Sequence, residues 1–166
     1  MGKKIVFLSG TRADFGKIKS LIQILENHQE FEPYIFVTGM HLIDKYGYTV
    51  IEIERCNFSN VSSYSNHTNE TTMDLTLAKT IEGFSEYIKT INPDLIIVHG
   101  DRVEALAGAI TGSLNNILVA HLEGGEVSGT IDELIRHSVS KMSHLHYVSN
   151  DQAKKRLLQM GELESS

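Results

Sequence analysis

At 166 residues, with 41% hydrophobic and 22% charged side chains, the sequence has the size and composition of a single globular domain. Its formal net charge of −6 argues against nucleic acid as a partner, because phosphate binding requires a basic patch and the sequence contains none. No apolar run approaches the roughly 20 residues that cross a bilayer, and the lone cysteine, Cys56, excludes an internal disulfide.

The amino-terminal stretch MGKKIVFLSGTRAD combines a basic start with a short apolar segment, as a signal peptide would. The apolar segment is too short for the core of a signal peptide, and no small-residue cleavage site follows it. The stretch is therefore interpreted as a first strand. Together with the lone cysteine, this predicts a location in the reducing cytoplasm.

Apolar runs and helical periodicities alternate along the chain. The predicted strands are 4–9, 34–38, 50–54 at a sheet edge, 95–98, 117–120 and 144–148. The predicted helices are 17–27, a short one at 42–46, 73–91, 103–113, 131–143 and 151–160. This alternation predicts an α/β fold, a doubly wound parallel sheet of about six strands with helices on both faces.

One segment differs from the rest in composition. Residues 57–72, NFSNVSSYSNHTNETT, are polar and lack apolar anchors. A loop of this length suggests function or mobility, so a lid that orders over substrate is predicted here.

The chain is organised around residues 121–137, HLEGGEVSGTIDELIRH. Glu123 falls just past the carboxyl end of a predicted buried strand, and the two glycines after it allow a sharp turn. Thr130 and Asp132 are candidate caps of the helix that follows, with Arg136 one turn after Asp132 on the same helical face.

A second strand-end carboxylate lies earlier, where the strand LIIV runs into His99-Gly-Asp101-Arg102. Ligands of open α/β sheets bind outside the carboxyl ends of the strands, so Asp101 and Glu123 at one sheet edge form a candidate active site. Two carboxylates brought close would raise the pKa of one of them and prepare it for proton transfer. The alternative is that both are ordinary turn residues or helix caps.

The segment SGTRADFGK lies between the first strand and a helix. It lacks the three glycines of a dinucleotide fingerprint, and Lys17 is not followed by the Ser or Thr of a phosphate-binding loop. No nicotinamide cofactor is therefore predicted. Arg12 and Lys17 at a helix start would suit a diphosphate, although the alternative is that both are solvated surface residues.

The second half of the chain is rich in histidine: His99, His121, His137, His144 and His146. Beside Asp101 and Glu123, such a group could indicate zinc. No His-x-x-x-His or cysteine spacing defines a metal geometry, however, so structural or supporting histidines and no metal are predicted.

Several separated motifs together resemble those of the UDP-N-acetylglucosamine 2-epimerases. The matching segments are GTRAD at 10–14, HGDR at 99–102, HLEGGEVSGT at 121–130, IRHS at 135–138 and KMSHLH at 141–146. The match is strongest for the hydrolysing branch, which releases UDP and N-acetylmannosamine. The non-hydrolysing branch has a similar Asp and Glu but differs in the segment after the Glu.

The resemblance implies roles for individual residues. By position, the catalytic acids are Asp101, Glu123 and Asp132, accompanied by Arg136. Arg12 and Arg102 correspond to positions on the nucleotide side. The histidines that would line or support the site are His41, His99, His121, His144 and His146.

The family fold resembles the two-domain GT-B arrangement, with the active site between two Rossmann-like domains. Residues 1–166 would be one such domain, the acid-bearing amino-terminal half, and the carboxyl-terminal nucleotide-binding domain would be absent. We therefore expect the chain alone to fold without turning over. A homo-oligomer could cover the open face, although it would present the wrong residues to the uridine.

The implied chemistry suits these residues, because the C2 hydrogen of the sugar is too weakly acidic for direct removal at neutral pH. Loss of UDP across C1–C2 would give a 2-acetamidoglucal, to which water then adds. This route requires carboxylates near C2 and cations on the diphosphate. Two alternatives stay open: a UDP-diacetamido-trideoxy sugar as substrate, or a non-catalytic module that binds sugar nucleotides or assembles with a partner.

Overall fold

The computed structural model describes residues 2–67 and 72–166. Within these residues, six parallel strands form one sheet in the order β3-β2-β1-β4-β5-β6. The strands are β1 (Lys3–Ser9), β2 (Phe31–Val37), β3 (Val61–Ser63), β4 (Leu95–His99), β5 (Leu118–Leu122) and β6 (Leu145–Tyr147). The helices are α1 (Arg12–Glu26), α2 (Val50–Glu54), α3 (Met73–Ile91), α4 (Val103–Leu114), α5 (Ile131–Lys141) and α6 (Asp151–Gln159), and short 3₁₀ turns span Gly39–Leu42 and Asp44–Tyr46.

Helices cover both faces of the sheet, which confirms the predicted doubly wound, Rossmann-like fold. On one face, α1 and α2 bury residues such as Phe15, Ile18 and Ile53 against β1 and β2. On the other, α3, α4 and α5 share a second apolar cluster with β1, β4 and β5. No helix in the described part of the chain is long and apolar enough to cross a membrane.

The third strand is not where the sequence predicts it. Residues 50–54 form helix α2. This helix buries Val50 and Ile53 on one face, whereas Ile51 between them is 41% exposed. The apolar positions in VIEIE fit a helical face as well as an alternating strand. The edge strand forms instead at Val61–Ser63, inside the predicted polar loop, where Val61 pairs with Ile35 of β2.

The predicted loop is also better anchored than its polarity suggests. Tyr64 stacks on Phe36, with 5.9 Å between ring centroids. Asn66 is fully buried: its Oδ1 accepts from the Gly39 backbone N–H at 3.1 Å and its Nδ2 donates to Thr80 Oγ1 at 2.8 Å. The expected lack of anchors is therefore wrong for 57–67. Residues 68–71 lie outside the described residues, and mobility of the segment stays a prediction.

Helix α1 begins at Arg12 rather than at Lys17. Its amino-terminal cap is Thr11, whose Oγ1 accepts a hydrogen bond from the Asp14 backbone N–H at 3.2 Å. The segment predicted as a loop is therefore mostly the first turn of a helix, and this turn carries both Arg12 and Asp14 at the carboxyl end of β1.

Buried His121 fixes the turn that follows β4. Its Nε2 lies 2.7 Å from the Gly100 carbonyl oxygen, which can only accept, so Nε2 carries a proton. Its Nδ1 lies 3.0 Å from Ser140 Oγ and accepts from that hydroxyl. Burial lowers the pKa of His121 to about 4, so the ring is neutral and acts as a structural link between β4, β5 and α5.

Gly112 allows α4 to pack closely on the sheet, and exposed Gly16 in α1 provides a control for this packing. A methyl group on Gly112 would lie 2.4 Å from Val119 Cγ2, whereas one on Gly16 of α1 would have no neighbour within 4 Å. We expect Gly112→Ala to lower the free energy of unfolding, because an overlap in the core costs about 1–3 kcal/mol, more than the gain in helix propensity of up to about 1 kcal/mol. Gly16→Ala should raise it by about 0.5–1 kcal/mol. Urea denaturation of both variants measures this difference, and equal effects would contradict the packing.

The neutral state of His121 predicts a pH dependence of stability. Its pKa in the folded chain, about 4, lies below the ordinary 6.5, so between these pH values the unfolded state binds more protons. Stability contributed by His121 is therefore present above pH 6.5 and is lost as the pH falls towards 4. The loss is up to about 3 kcal/mol.

Urea denaturation at pH 7 and pH 4.5 measures this loss. We expect His121→Gln to lose less stability between the two pH values than the wild type, whereas His28→Gln at an exposed position should behave as the wild type. Equal losses in the wild type and in His121→Gln would contradict the assignment.

Candidate active site

Asp101 and Glu123 lie at the same edge of the sheet. β4 and β5 are neighbours in register, with His99 paired to Leu122, so the residues that follow both strands emerge side by side. The turn after β4 is held by the Gly100 N–H, which donates to the Leu122 carbonyl at 3.0 Å. The expected placement of the two acids outside the carboxyl ends of adjacent strands is met.

Glu123 has a backbone conformation that is rare for a residue with a side chain. Its φ is +60°, in the left-handed region, and its N–H donates to the Tyr147 carbonyl of β6 at 2.8 Å. Such a conformation costs about 1–2 kcal/mol, and it persists only where neighbouring structure enforces it. The strained turn directs Glu123 away from the strand and towards α1.

Asp101 pairs with Arg136 of α5. An Arg136 Nη2–H donates to Asp101 Oδ2, and the side chains are only 22% (Asp101) and 14% (Arg136) exposed. A hydrogen bond between a guanidinium and a carboxylate is stronger than one between neutral groups. The structure thus brings together two of the residues that the family resemblance assigns to catalysis.

Each carboxylate oxygen of Glu123 is in contact with a basic side chain. Lys17 Nζ donates to Oε1 at 2.8 Å, and His99 Nε2 lies 3.2 Å from Oε2. Partial burial opposes the charge of Glu123, but Lys17 and His99 outweigh it and hold the pKa of this carboxyl below its usual range. Contact with Glu123 in turn raises the pKa of Lys17. The expectation that crowding would raise the pKa of one acid is therefore wrong for Glu123.

His99 is held between two carboxylates. Its Nδ1 lies 3.2 Å from Asp14 Oδ1, on the side opposite to Glu123. Burial alone would lower the pKa of His99, but Asp14 and Glu123 together raise it above its ordinary value. This histidine therefore lies between Asp14 and Glu123, and its role in a site stays a prediction.

Asp132 and Arg102 line a cavity of about 310 Å³. Asp132 is in the first turn of α5, which Thr130 caps by accepting from the Asp132 N–H at 3.3 Å. The other lining residues are Tyr46, His67, Met73, Thr76, Val103 and Glu104. The third predicted acid and one of the predicted nucleotide-side arginines thus face the same polar cavity.

Arg12 lies on a neighbouring groove of about 410 Å³, which shares Tyr46 with the first cavity. It forms an exposed ion pair with Glu52 of α2, with 2.9 Å between Arg12 Nε and Glu52 Oε1. An exposed pair of this kind contributes at most about 1 kcal/mol to stability. The guanidinium can therefore exchange Glu52 for an anionic ligand at little cost.

Besides His121, three of the predicted site histidines do not contact the predicted catalytic acids. His41 is fully buried, with Nε2 2.9 Å from Ser9 Oγ and Nδ1 2.7 Å from Thr49 Oγ1, and burial lowers its pKa. His144 lies at the opposite, amino end of the sheet, where its Nδ1 accepts from the Val119 N–H at 3.1 Å. His146 in β6 lies 3.3 Å from Glu162, and burial lowers its pKa. With His121, these rings support the fold rather than line the acid cluster.

Sequence reasoning missed two buried carboxylates. Asp14 is part of the GTRAD segment that supports the resemblance, and its place two residues after Arg12, near a strand end, was the available signal. Glu104 follows Arg102 in the first turn of α4, is 2% exposed and fills the space over Gly10 and Gly39. Within 2–67 and 72–166, no three His, Cys, Asp or Glu side chains are grouped as metal ligands.

The sequence and structure were compared with known proteins. A family model described as UDP-N-acetylglucosamine 2-epimerase matches residues 23–166. The UDP-N-acetylglucosamine 2-epimerase of Neisseria meningitidis serogroup B is 49% identical over 96% of this chain and 42% of the relative. The UDP-N,N'-diacetylbacillosamine 2-epimerase (hydrolyzing) of Legionella pneumophila is 40% identical over 100% of this chain and 45% of the relative.

A solved structure gives the same result. The UDP-GlcNAc 2-epimerase of Methanocaldococcus jannaschii, in complex with UDP-GlcNAc and UDP, superposes with a TM-score of 0.83 at 27% identity, over 98% of this chain and 44% of that one. The chain thus spans less than half the length of the relatives it matches. By the extent of the family match and by identity to these relatives, the chain belongs to the UDP-N-acetylglucosamine 2-epimerase family.

Proposed function

We propose that this chain carries the catalytic acids of a hydrolysing sugar-nucleotide 2-epimerase that converts UDP-N-acetylglucosamine to UDP and N-acetylmannosamine, for sialic-acid-type sugars. The observation that supports it most is the pair of strand-end carboxylates, each with its own cation: Asp101 with Arg136, and Glu123 with Lys17. Carboxylates for proton transfer and cations for a departing diphosphate are what an elimination of UDP requires.

The proposed reaction has two steps. In the first, a carboxylate takes the C2 proton, a C1=C2 double bond forms, and the C1–O bond breaks with its electron pair leaving on UDP. The product is a 2-acetamidoglucal. In the second, water adds its hydroxyl to C1 and a proton reaches C2 from the opposite face, which inverts that centre.

Asp101, Glu123 and Asp132 share these proton transfers in the proposal. The lowered pKa of Glu123 keeps it ionised at neutral pH, so it is ready to accept a proton. Asp132 lines the cavity beside Arg102, within the same region of the sheet edge. Arg12, Arg102 and Lys17 would contact the diphosphate, where fixed positive charge stabilises the leaving group.

We further propose that the chain corresponds to the acid-bearing half of such an enzyme and that turnover requires the rest of a longer protein. The matched part of the two relatives is 42% and 45% of their length. Positioning of a reactant can contribute about 7–11 kcal/mol to a barrier, and an open cleft cannot exclude water from the diphosphate. A non-catalytic role for the isolated chain, in binding or assembly, follows if it binds UDP without turnover.

A UDP-diacetamido sugar is a second candidate substrate. The Legionella relative is named for UDP-N,N'-diacetylbacillosamine, a sugar nucleotide with two acetamido groups. The same acids would serve an elimination from that substrate. Product analysis with both sugar nucleotides discriminates between the two.

The first test concerns the acids in the polypeptide encoded by the complete reading frame. We expect it to release UDP and N-acetylmannosamine from UDP-N-acetylglucosamine, and we expect Asp101→Asn to lower kcat by a factor of about 10²–10⁴. Asp151→Asn, an exposed aspartate in the first turn of α6, is the control and should leave kcat unchanged. Unaltered kcat in Asp101→Asn would remove Asp101 from the mechanism.

The second test concerns the chain of 166 residues. We expect UDP-N-acetylglucosamine to perturb amide NMR signals at Gly100–Arg102 and in the first turn of α1, without release of UDP. UDP release at rates typical of enzymes, abolished by Asp101→Asn, would show that this chain is sufficient for catalysis. No perturbation at millimolar ligand would contradict the assignment of the cleft as a binding site.

A further inference from the structure

Asp14 and His99 lie directly behind Glu123. Asp14 contacts Nδ1 of the imidazole and Glu123 contacts Nε2, both at 3.2 Å. Asp14 and His99 are nearly buried, with 10% and 9% of their side chains exposed, whereas 34% of the Glu123 side chain is exposed. They come from α1, the end of β4 and the turn after β5, so their arrangement depends on tertiary structure rather than on local sequence.

This arrangement determines the protonation state of His99. A neutral imidazole has one N–H and one nitrogen lone pair. If Nδ1–H donated to Asp14, the lone pair on Nε2 would face the carboxylate of Glu123 at 3.2 Å, which is repulsive. Only the imidazolium attracts both carboxylates, through a hydrogen bond at Nδ1 and a charge contact at Nε2 whose geometry is not that of a hydrogen bond.

We propose that Asp14 and His99 form a positioning pair, in which buried Asp14 keeps His99 protonated and the imidazolium holds Glu123 ionised and in place for proton transfer. Asp14 has no contact with Glu123 itself and acts only through His99. The role in proton transfer rests on the function proposed above, whereas the electrostatic coupling of Asp14 to Glu123 does not.

The charged groups around His99 support this assignment. From α1 come Asp14, which contacts the ring, and Lys17, which contacts Glu123 on its other oxygen. From β5 comes His121, whose ring is neutral because its pKa is lowered to about 4. Asp14 also lies near buried His41, whose pKa burial lowers. In the proposed pair, the positive charge of His99 and the negative charge of Asp14 therefore compensate each other.

The position of Asp14 also suits a carboxylate. It lies in the first turn of α1, where the helix dipole and free backbone N–H groups stabilise an anion. Replacement by asparagine removes the charge but retains the shape and an oxygen that can accept from His99 Nδ1–H. Asp14→Asn therefore tests the charge of the pair and not its packing.

The experiment is an NMR titration of the chain, in which the His99 imidazole nitrogens and the Glu123 side-chain carboxyl carbon are followed against pH. In Asp14→Asn we expect the pKa of His99 to fall below that of the wild type, because burial is then opposed by Glu123 alone. We expect the Glu123 carboxyl carbon to show a second inflection at the pH where His99 titrates, because the two groups are in contact, and this inflection should move to lower pH together with the pKa of His99. Glu123→Gln should also lower the pKa of His99.

Asp151→Asn is the matched control, since it removes a carboxylate from the first turn of another helix, α6, away from His99. It should change neither titration. If Asp14→Asn leaves both His99 and Glu123 titrating as in the wild type, the proposal is wrong. A shift of His99 that the second inflection of the Glu123 carbon does not follow would also overturn it, because the protonation of His99 would then not act on the acid.

This readout separates the inference from the proposed function. Binding of UDP-N-acetylglucosamine to the wild-type chain is tested by its own titration. If coupled shifts occur in a chain that binds no sugar nucleotide, the electrostatic pair stands and the proposed function fails. If the sugar nucleotide binds and the shifts are absent, the proposed function stands and the positioning pair fails.

Discussion

The parallel register between β4 and β5 is the constraint on which the site depends. Pairing of Val98 with His121 and of His99 with Leu122 sets the height at which each strand ends. A slip of one residue would exchange the faces of every side chain in β5, moving His121 out of the core. The hydrogen bond from His121 to the Gly100 carbonyl ties the turn that precedes Asp101 to this register. Asp101 and Glu123 follow neighbouring strand ends because the packing of the core favours this one register of β4 and β5.

The two faces of the sheet neutralise the two acids separately. Arg136 reaches Asp101 from α5, on one face, whereas Lys17 reaches Glu123 from α1, on the other. Neighbouring carboxylates without such partners would share a proton and titrate together. Here each acid has its own basic partner, and this arrangement requires helices on both sides of a parallel sheet. The doubly wound architecture is thus part of the electrostatics of the site.

The sequence predicted the fold where periodicity was long or unambiguous. Helix α3 begins and ends where its apolar spacing predicts. The apolar runs of β4 and β5 are too short for a typical buried helix, so they predict strands. Prediction failed at 50–54, whose five residues fit two periodicities, and at Val61–Ser63, which forms a strand because β2 offers an unpaired edge. Such a strand is specified by its neighbour and not by its own composition, so a single sequence carries little signal for it.

The histidines show why the site was only partly predictable. His99 and His121 both lie at the carboxyl-end region of buried neighbouring strands, and the sequence offers no difference between them. Their partners make the difference. His121 faces a carbonyl and a hydroxyl, which one proton satisfies, so it is neutral. His99 lies between two carboxylates, and both raise its pKa above the ordinary value. Both carboxylates come from other elements, and only the folded chain brings Asp14 and Glu123 to the same ring.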